Sequence, residues 1–298
     1  MTDRQPLSWT FFGRWMGSCY HFIVTDSGSV PPKSKSLSLA ARGPGVASGK
    51  KRPSKAPVRP SATDFLLRAL GSKDGATKRE WAEKGLEAYA SQHEDDAELK
   101  ALLLRQLYQC ALDVEAHDEA YDLALCMIDL EELGDIARQD AARAALGLGR
   151  VDEAIEHVRI ASKVCPQSRR SFHLGHLGAL LRFSGQLEKS VEAFAEASRC
   201  AGPDTALYQA QQALAEAERG NDIPHLRRLR EELESGLPQK GYAQWILGEL
   251  CYLLGDYSAA ARYLKRFLER IEDAPRAKCL SLKGEIAHAR MLLKKTTA

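Results

Sequence analysis

The chain has 298 residues, 44% of them apolar and 28% charged, with a net charge of +2. That is an ordinary globular composition, and it supports a core without disulfides or metal. Seven cysteines at 19, 110, 126, 165, 200, 251 and 279 form no CxxC and are odd in number, which argues against a zinc ribbon or disulfide framework and for a reducing compartment. No run of 18 apolar residues marks a membrane-spanning helix. Sparse aromatics beside abundant Ala and Leu favour helix over sheet.

Residues 1–29 fit no element. SWTFFGRWMGSC, ending at Cys19, loosely resembles a bacterial lipoprotein cleavage box with Cys19 as the lipidated residue, the basis of an envelope-scaffold reading. Against it, Arg14 interrupts the apolar stretch and the first eight residues carry no net positive charge. Another account places the true start at Val30. Between Ser27 and Thr63 stand eight basic residues (Lys33, Lys35, Arg42, Lys50, Lys51, Arg52, Lys55, Arg59) and no acid, so the chain from Asp64 onward carries a net −6. This Pro-, Gly- and Ser-rich stretch cannot bury enough surface to offset its ordering entropy. Residues 1–62 are therefore expected to be a disordered basic segment. Residues 33–59 could tether nucleic acid, anionic lipid or an acidic partner, but they lack aromatics for base stacking, and a solubilising linker is the plainer reading. GVASGKK at Gly45–Lys51 lacks both the first glycine and the closing Ser or Thr of a phosphate-binding loop.

From residue 63 the pattern is helical to the end. Glycines fall at 149, 185, 220 and 255, each between two amphipathic stretches, where a short turn needs a permissive residue. Seven residues before each glycine stands Ala142, Gly178, Ala213 or Gly248. Five residues after stands Ala154, Ser190, His225 or Ala260, so the third unit departs from the pattern. Small residues let helix backbones approach, while Leu177, Leu181, Phe194, Leu247, Leu264 and Phe267 fill the grooves between hairpins. Prolines at 166, 203, 238 and 275 close the second helices.

This register resembles the tetratricopeptide repeat (TPR) family. Ser171–Asp204 matches best, through Leu174, Leu177, Gly178, Leu181, Leu187, Ser190, Phe194, Ala197 and Pro203; Asp135–Ser168 and Gly241–Ala274 follow. Ala206–Lys240 is degenerate. Ala101–Gly134 keeps Leu104, Leu107, Ala111 and Ala120 but has Tyr108 at a small-residue place, and Asp64–Ala97 reads as a further unit with a short first helix. The resemblance implies an all-α, right-handed α-solenoid of TPR-like hairpins over residues 63–274. Pro275–Lys295 reads as a solitary helix, making residues 275–298 a C-terminal cap with a solvent-facing lysine end.

The family resemblance also implies that ligands are met by first-helix positions facing a concave groove. Carried over, these are Arg105, Gln109, Gln139, Arg143, Arg182, Phe183, Tyr242, Trp245, Glu249 and Tyr252, beside Ala179, Leu214 and Glu218. Arginines would pair with carboxylates and aromatics would anchor an apolar side chain. The Lys/Asn set of chaperone-binding members is incomplete here. His173 and His176, three apart on a helix, are within reach of one metal but are expected to be partly exposed helix residues. The carboxylates Glu115, Asp118, Glu119, Asp122, Glu231, Glu232 and Glu234 lie in patterns of solvated faces, and no catalytic grouping is marked. The expectation is a cytoplasmic, bacterial, non-enzymatic scaffold without cofactor or metal, binding a peptide or helix of a partner protein.

Overall fold

The computed structural model describes residues 60–236 and 241–297. Residues 33–59, Cys19, Val30 and Pro238 lie outside the described residues. The described residues form fourteen α-helices and no strand. Six hairpins follow one another. They are α1 (Ala62–Gly71) with α2 (Gly75–Ser91), α3 (Ala97–Asp113) with α4 (His117–Asp129), and α5 (Gly134–Gly147) with α6 (Val151–Val164). Then come α7 (Gln167–Phe183) with α8 (Leu187–Cys200), α9 (Thr205–Glu218) with α10 (Leu226–Gly236), and α11 (Tyr242–Leu253) with α12 (Tyr257–Glu272). Each helix packs on its hairpin mate, and the second helix of each hairpin packs on the first helix of the next. This is the all-α stack of helical hairpins that the glycine register anticipates.

The first helix begins at a capping box: Ser61 Oγ accepts from the Asp64 amide at 3.2 Å, and the Asp64 carboxylate accepts from the Ser61 amide at 2.8 Å. In four of the six hairpins the turn is built on a glycine in the same way. Gly149, Gly185, Gly220 and Gly255 have φ between 77° and 84°. The residue after each donates its amide five residues back, as Arg150 does to Ala145 (2.8 Å) and Gln186 to Leu181 (2.9 Å), closing the helix end with a left-handed residue. Glu115, at the same place in the α3–α4 turn, adopts φ 60° without being glycine.

Close approach occurs where the small residues predict it. A Cβ on Gly178 would sit 2.8 Å from the Phe194 ring, and Ser190 Oγ donates to the Gly178 carbonyl at 2.8 Å. Phe194, fully buried, is the wedge beside that contact. The third unit departs for a local reason. Pro224 lacks an amide proton and constrains Ile223, so α10 starts six residues after Gly220, where α6, α8 and α12 start two residues after their glycines. His225 therefore precedes the helix altogether, and a cavity of about 330 Å³ remains between α9 and α10.

The C-terminus differs from the expected solitary helix. Two helices follow Pro275, α13 (Arg276–Ser281) and α14 (Lys283–Thr297). Helix α14 does pack on α12, as a cap would, and Lys294 and Lys295 are exposed. But α14 also touches α11 and α7, and α13 reaches back to α3 and α5. The segment thus lies across the face formed by the first helices of the hairpins.

Gly178→Ala forces the Phe194 ring out of its seat, and overpacking of this kind typically costs about 1–3 kcal/mol. Gly185→Ala puts a side chain at left-handed φ, for roughly 1–2 kcal/mol. Urea unfolding midpoints of the two variants should both fall, with no change in helical circular dichroism before the transition.

Candidate functional site

The first helices α3, α5, α7, α9 and α11 present the residues singled out for the groove. Most are already in use, and many partners lie about one repeat away. Arg105 Nε donates to Asp140 Oδ2 at 2.8 Å, and Arg143 Nη1 donates to Asp140 Oδ1 at 2.6 Å. Tyr108, expected to disturb a small-residue place, is buried, and its hydroxyl donates to the Asp140 carbonyl at 2.8 Å. Two arginines and a tyrosine thus converge on one fully buried acid. The two arginines meet its carboxylate and the tyrosine its backbone carbonyl, so no polar group of this buried residue's side chain is left without a partner.

His173 is fully buried, not partly exposed, because its Nε2 lies 2.8 Å from Asp135 Oδ2. Arg169 grips the same carboxylate with two donors, at 2.8 and 2.6 Å. Burial works against ionisation of Asp135, but His173 and Arg169 outweigh it and lower its pKa. Gln139 joins the two histidines, with Nε2 2.8 Å from His176 Nδ1 and Oε1 3.3 Å from His173 Nδ1. Burial, then Arg143 and His173, push the His176 pKa down to about 3, so it is neutral at physiological pH.

Farther along, Arg182 is almost fully buried and bridges two acids. Its Nη1 donates to Glu249 Oε2 at 2.8 Å and its Nη2 to Glu218 Oε1 at 2.6 Å. Burial opposes the charge on Arg182, yet Glu249 and Glu218 hold its pKa above the ordinary arginine value. Burial likewise opposes ionisation of Glu249, but Arg182 and His288 lower its pKa. The guanidinium lies 5.5 Å from the Trp245 ring and 5.4 Å from that of Phe183, a cation–π arrangement. Trp245 is fully buried, with the Tyr242 ring 5.2 Å and the Phe183 ring 6.1 Å away. Tyr252 is half-buried against Tyr257 at 5.4 Å, and Gln109 is half-buried; neither joins this cluster.

The remaining partners come from the C-terminal segment. Ser281 Oγ accepts from Arg143 Nε at 2.9 Å, and Lys283 Nζ donates to the Leu146 carbonyl at 3.2 Å. Arg276 pairs with Glu115, and His288 with Glu249. A Cβ on Gly284 would stand 2.3 Å from the Phe183 ring. Glu285, buried, has Oε1 3.0 Å from Tyr242 Oη, which is also 3.0 Å from Gln211 Oε1. One phenolic proton cannot serve both acceptors, so either the Gln211 amide presents its NH2 to the phenol oxygen or a protonated Glu285 donates to it. Burial raises the Glu285 pKa to about 7, and burial and Glu285 raise that of Tyr242. Sequence reasoning missed Asp135, Asp140, Glu285 and His288. Their signal was weak: Glu285 stands between Gly284 and Ile286 with Lys283 two residues before it, an ordinary setting for a solvated acid.

No protein-family model matches the chain, and no curated protein matches it. Among solved structures it is similar to a TPR repeats protein from Bacteroides fragilis NCTC 9343, at 13% identity over 76% of this chain and 99% of that one, with a TM-score of 0.34. The helical-repeat architecture rests on the hairpin pairing and the left-handed turns, independently of that superposition. No helix among the described residues is long and apolar enough to cross a membrane.

Glu285 sets a pH dependence. Its folded pKa lies above the unfolded carboxyl value, so its neutral form carries no penalty below about pH 4.5, and stability falls as pH rises toward about 7. The full loss is on the order of 3 kcal/mol. His176 acts oppositely below its unfolded pKa, and Arg182, Glu249, His288 and Lys278 lie nearby, so the comparison must be differential. Urea midpoints of wild type and Glu285→Gln, read at pH 5 and pH 8, should show the variant gaining relative stability at the higher pH.

Proposed function

We propose that the protein is a non-enzymatic, tetratricopeptide-like scaffold that binds a helical segment of a partner protein on the face of its first helices. One observation carries the reading. Arg143, Phe183, Tyr242 and Glu249, four of the residues expected to contact a ligand, all contact one helical segment, residues 276–292 of the same chain. A surface that seats a helix through an arginine, aromatic rings and a buried carboxylate has the chemistry of a helix receptor. The buried ion pairs build that surface; they are not paired catalytic acids and bases aimed at a cleft.

The test is affinity capture with the full chain from its native source. A partner recognised on this face should be lost with Arg143→Ala and kept with Glu192→Ala, a change on the exposed outer side of α8. Retention by both variants, with unchanged affinity, would refute the assignment. A second reading rests on the eight bases without an acid in residues 33–59: a tether to nucleic acid or anionic lipid. It requires binding that weakens steeply with salt and disappears when Lys50, Lys51, Arg52 and Lys55 are changed together to Gln.

A further inference from the structure

We propose that residues 276–292 are a resident pseudo-ligand, and that the partner is a helix carrying the same chemistry: a glycine, an acid beside it and a histidine one turn later. This deepens the partner-binding reading above and rests on it. The seat is particular about what it accepts. Gly284 is the residue facing the Phe183 ring, where any Cβ would meet ring carbon at 2.3 Å. Gly284 is the second residue of α14, in its first turn, and close approach to that ring accounts for its presence. His288, four residues on, meets the same ring edge-on at 5.9 Å between centroids and pairs with Glu249. Between them Glu285 turns its carboxyl onto Tyr242. Glycine, acid and histidine at i, i+1 and i+4 therefore read three neighbouring features of one surface.

The segment is also built to leave as a unit. It starts after Pro275, which ends α12 and its short connection. Helix α13 has no fully buried side chain, and the Arg276–Glu115 pair that ties it to the α3–α4 turn is about half exposed on both sides. Exposed ion pairs hold weakly. Helix α14 is seated through Leu282, Ile286, Ala289 and Leu292, an apolar stripe that a competing amphipathic helix would replace in kind. An opening of about 60 Å³ lined by Phe172, His176, Tyr208, Tyr242, Leu282 and Glu285, and one of about 240 Å³ lined by Leu146, Leu180, Phe183, Leu280 and Gly284, flank the α13–α14 junction, so the seat is incompletely filled on both sides of it.

The probe is a fluorescein-labelled synthetic peptide of residues 276–297, tested in trans against the full chain. Gly284→Val in the chain should dislodge the resident copy, and the natural peptide should then bind at least tenfold more tightly than it binds wild type. The same peptide carrying Gly284→Val should bind neither protein. Equal binding to both chains, or equal binding by both peptides, would overturn the proposal. Should the variant chain not fold, hydrogen exchange of the wild type decides. Amides of 284–292 should open at least tenfold more often than those of α12, whereas protection equal to that of α12 would make the segment an integral part of the stack and end the pseudo-ligand idea. If the peptide fails while Arg143→Ala still abolishes partner capture, the binding face stands and only the displacement falls.

Discussion

In these hairpins a small residue of the first helix must make room for a large side chain of the second, which is seated directly against it. Gly178, Ser190 and Phe194 do this in the best-formed unit, with the Ser190 hydroxyl fixed to the Gly178 carbonyl. A hairpin built this way has apolar surface beyond what its own two helices cover, so it is incomplete until another hairpin is laid on it. The left-handed turns then set the angle at which each second helix returns. Where Pro224 delays that return, the hairpin is the loosest of the six and keeps a cavity.

The polar network follows the same period. Arg105 to Asp140, Asp135 to Arg169 and Arg182 to Glu218 each join residues about one unit apart. Repetition thus appears in ion pairs as well as in packing. Arg182 goes further, reaching Glu249 two units on, so α7 and α11 converge on the inner side of α9. Buried pairs of this kind add little net stability over an apolar replacement, but breaking one partner leaves a stranded charge. We read them as fixing how successive hairpins register.

The hairpins were legible because their determinants are local: a glycine at a turn, a small residue seven before it, an apolar stripe along each helix. The third unit's irregularity was visible at His225, though its cause, Pro224, was passed over. The inner face was legible only as a set of positions. Arg143 and Tyr242 were among those positions, but nothing local discloses that a segment more than one hundred residues away would cover Arg143. The trace that did exist was in the cover itself. Leu282, Ile286, Ala289 and Leu292 form a stripe that a solvent-facing cap does not need, and Gly284 interrupts an otherwise good helix former. His173 misled for a related reason, since its partner Asp135 lies a full repeat earlier.

The pair between Arg276 and the Glu115 turn joins points separated by more than half of the chain. An open helical repeat folds through neighbours and frays from its ends. A stack whose last segment returns to its second hairpin has a loop to close, and loop closure across such a separation comes late. During synthesis, α3, α5 and α7 emerge long before α13 and α14. The nascent chain therefore passes through a period in which the inner sides of α3, α5 and α7 have been made and their cover has not.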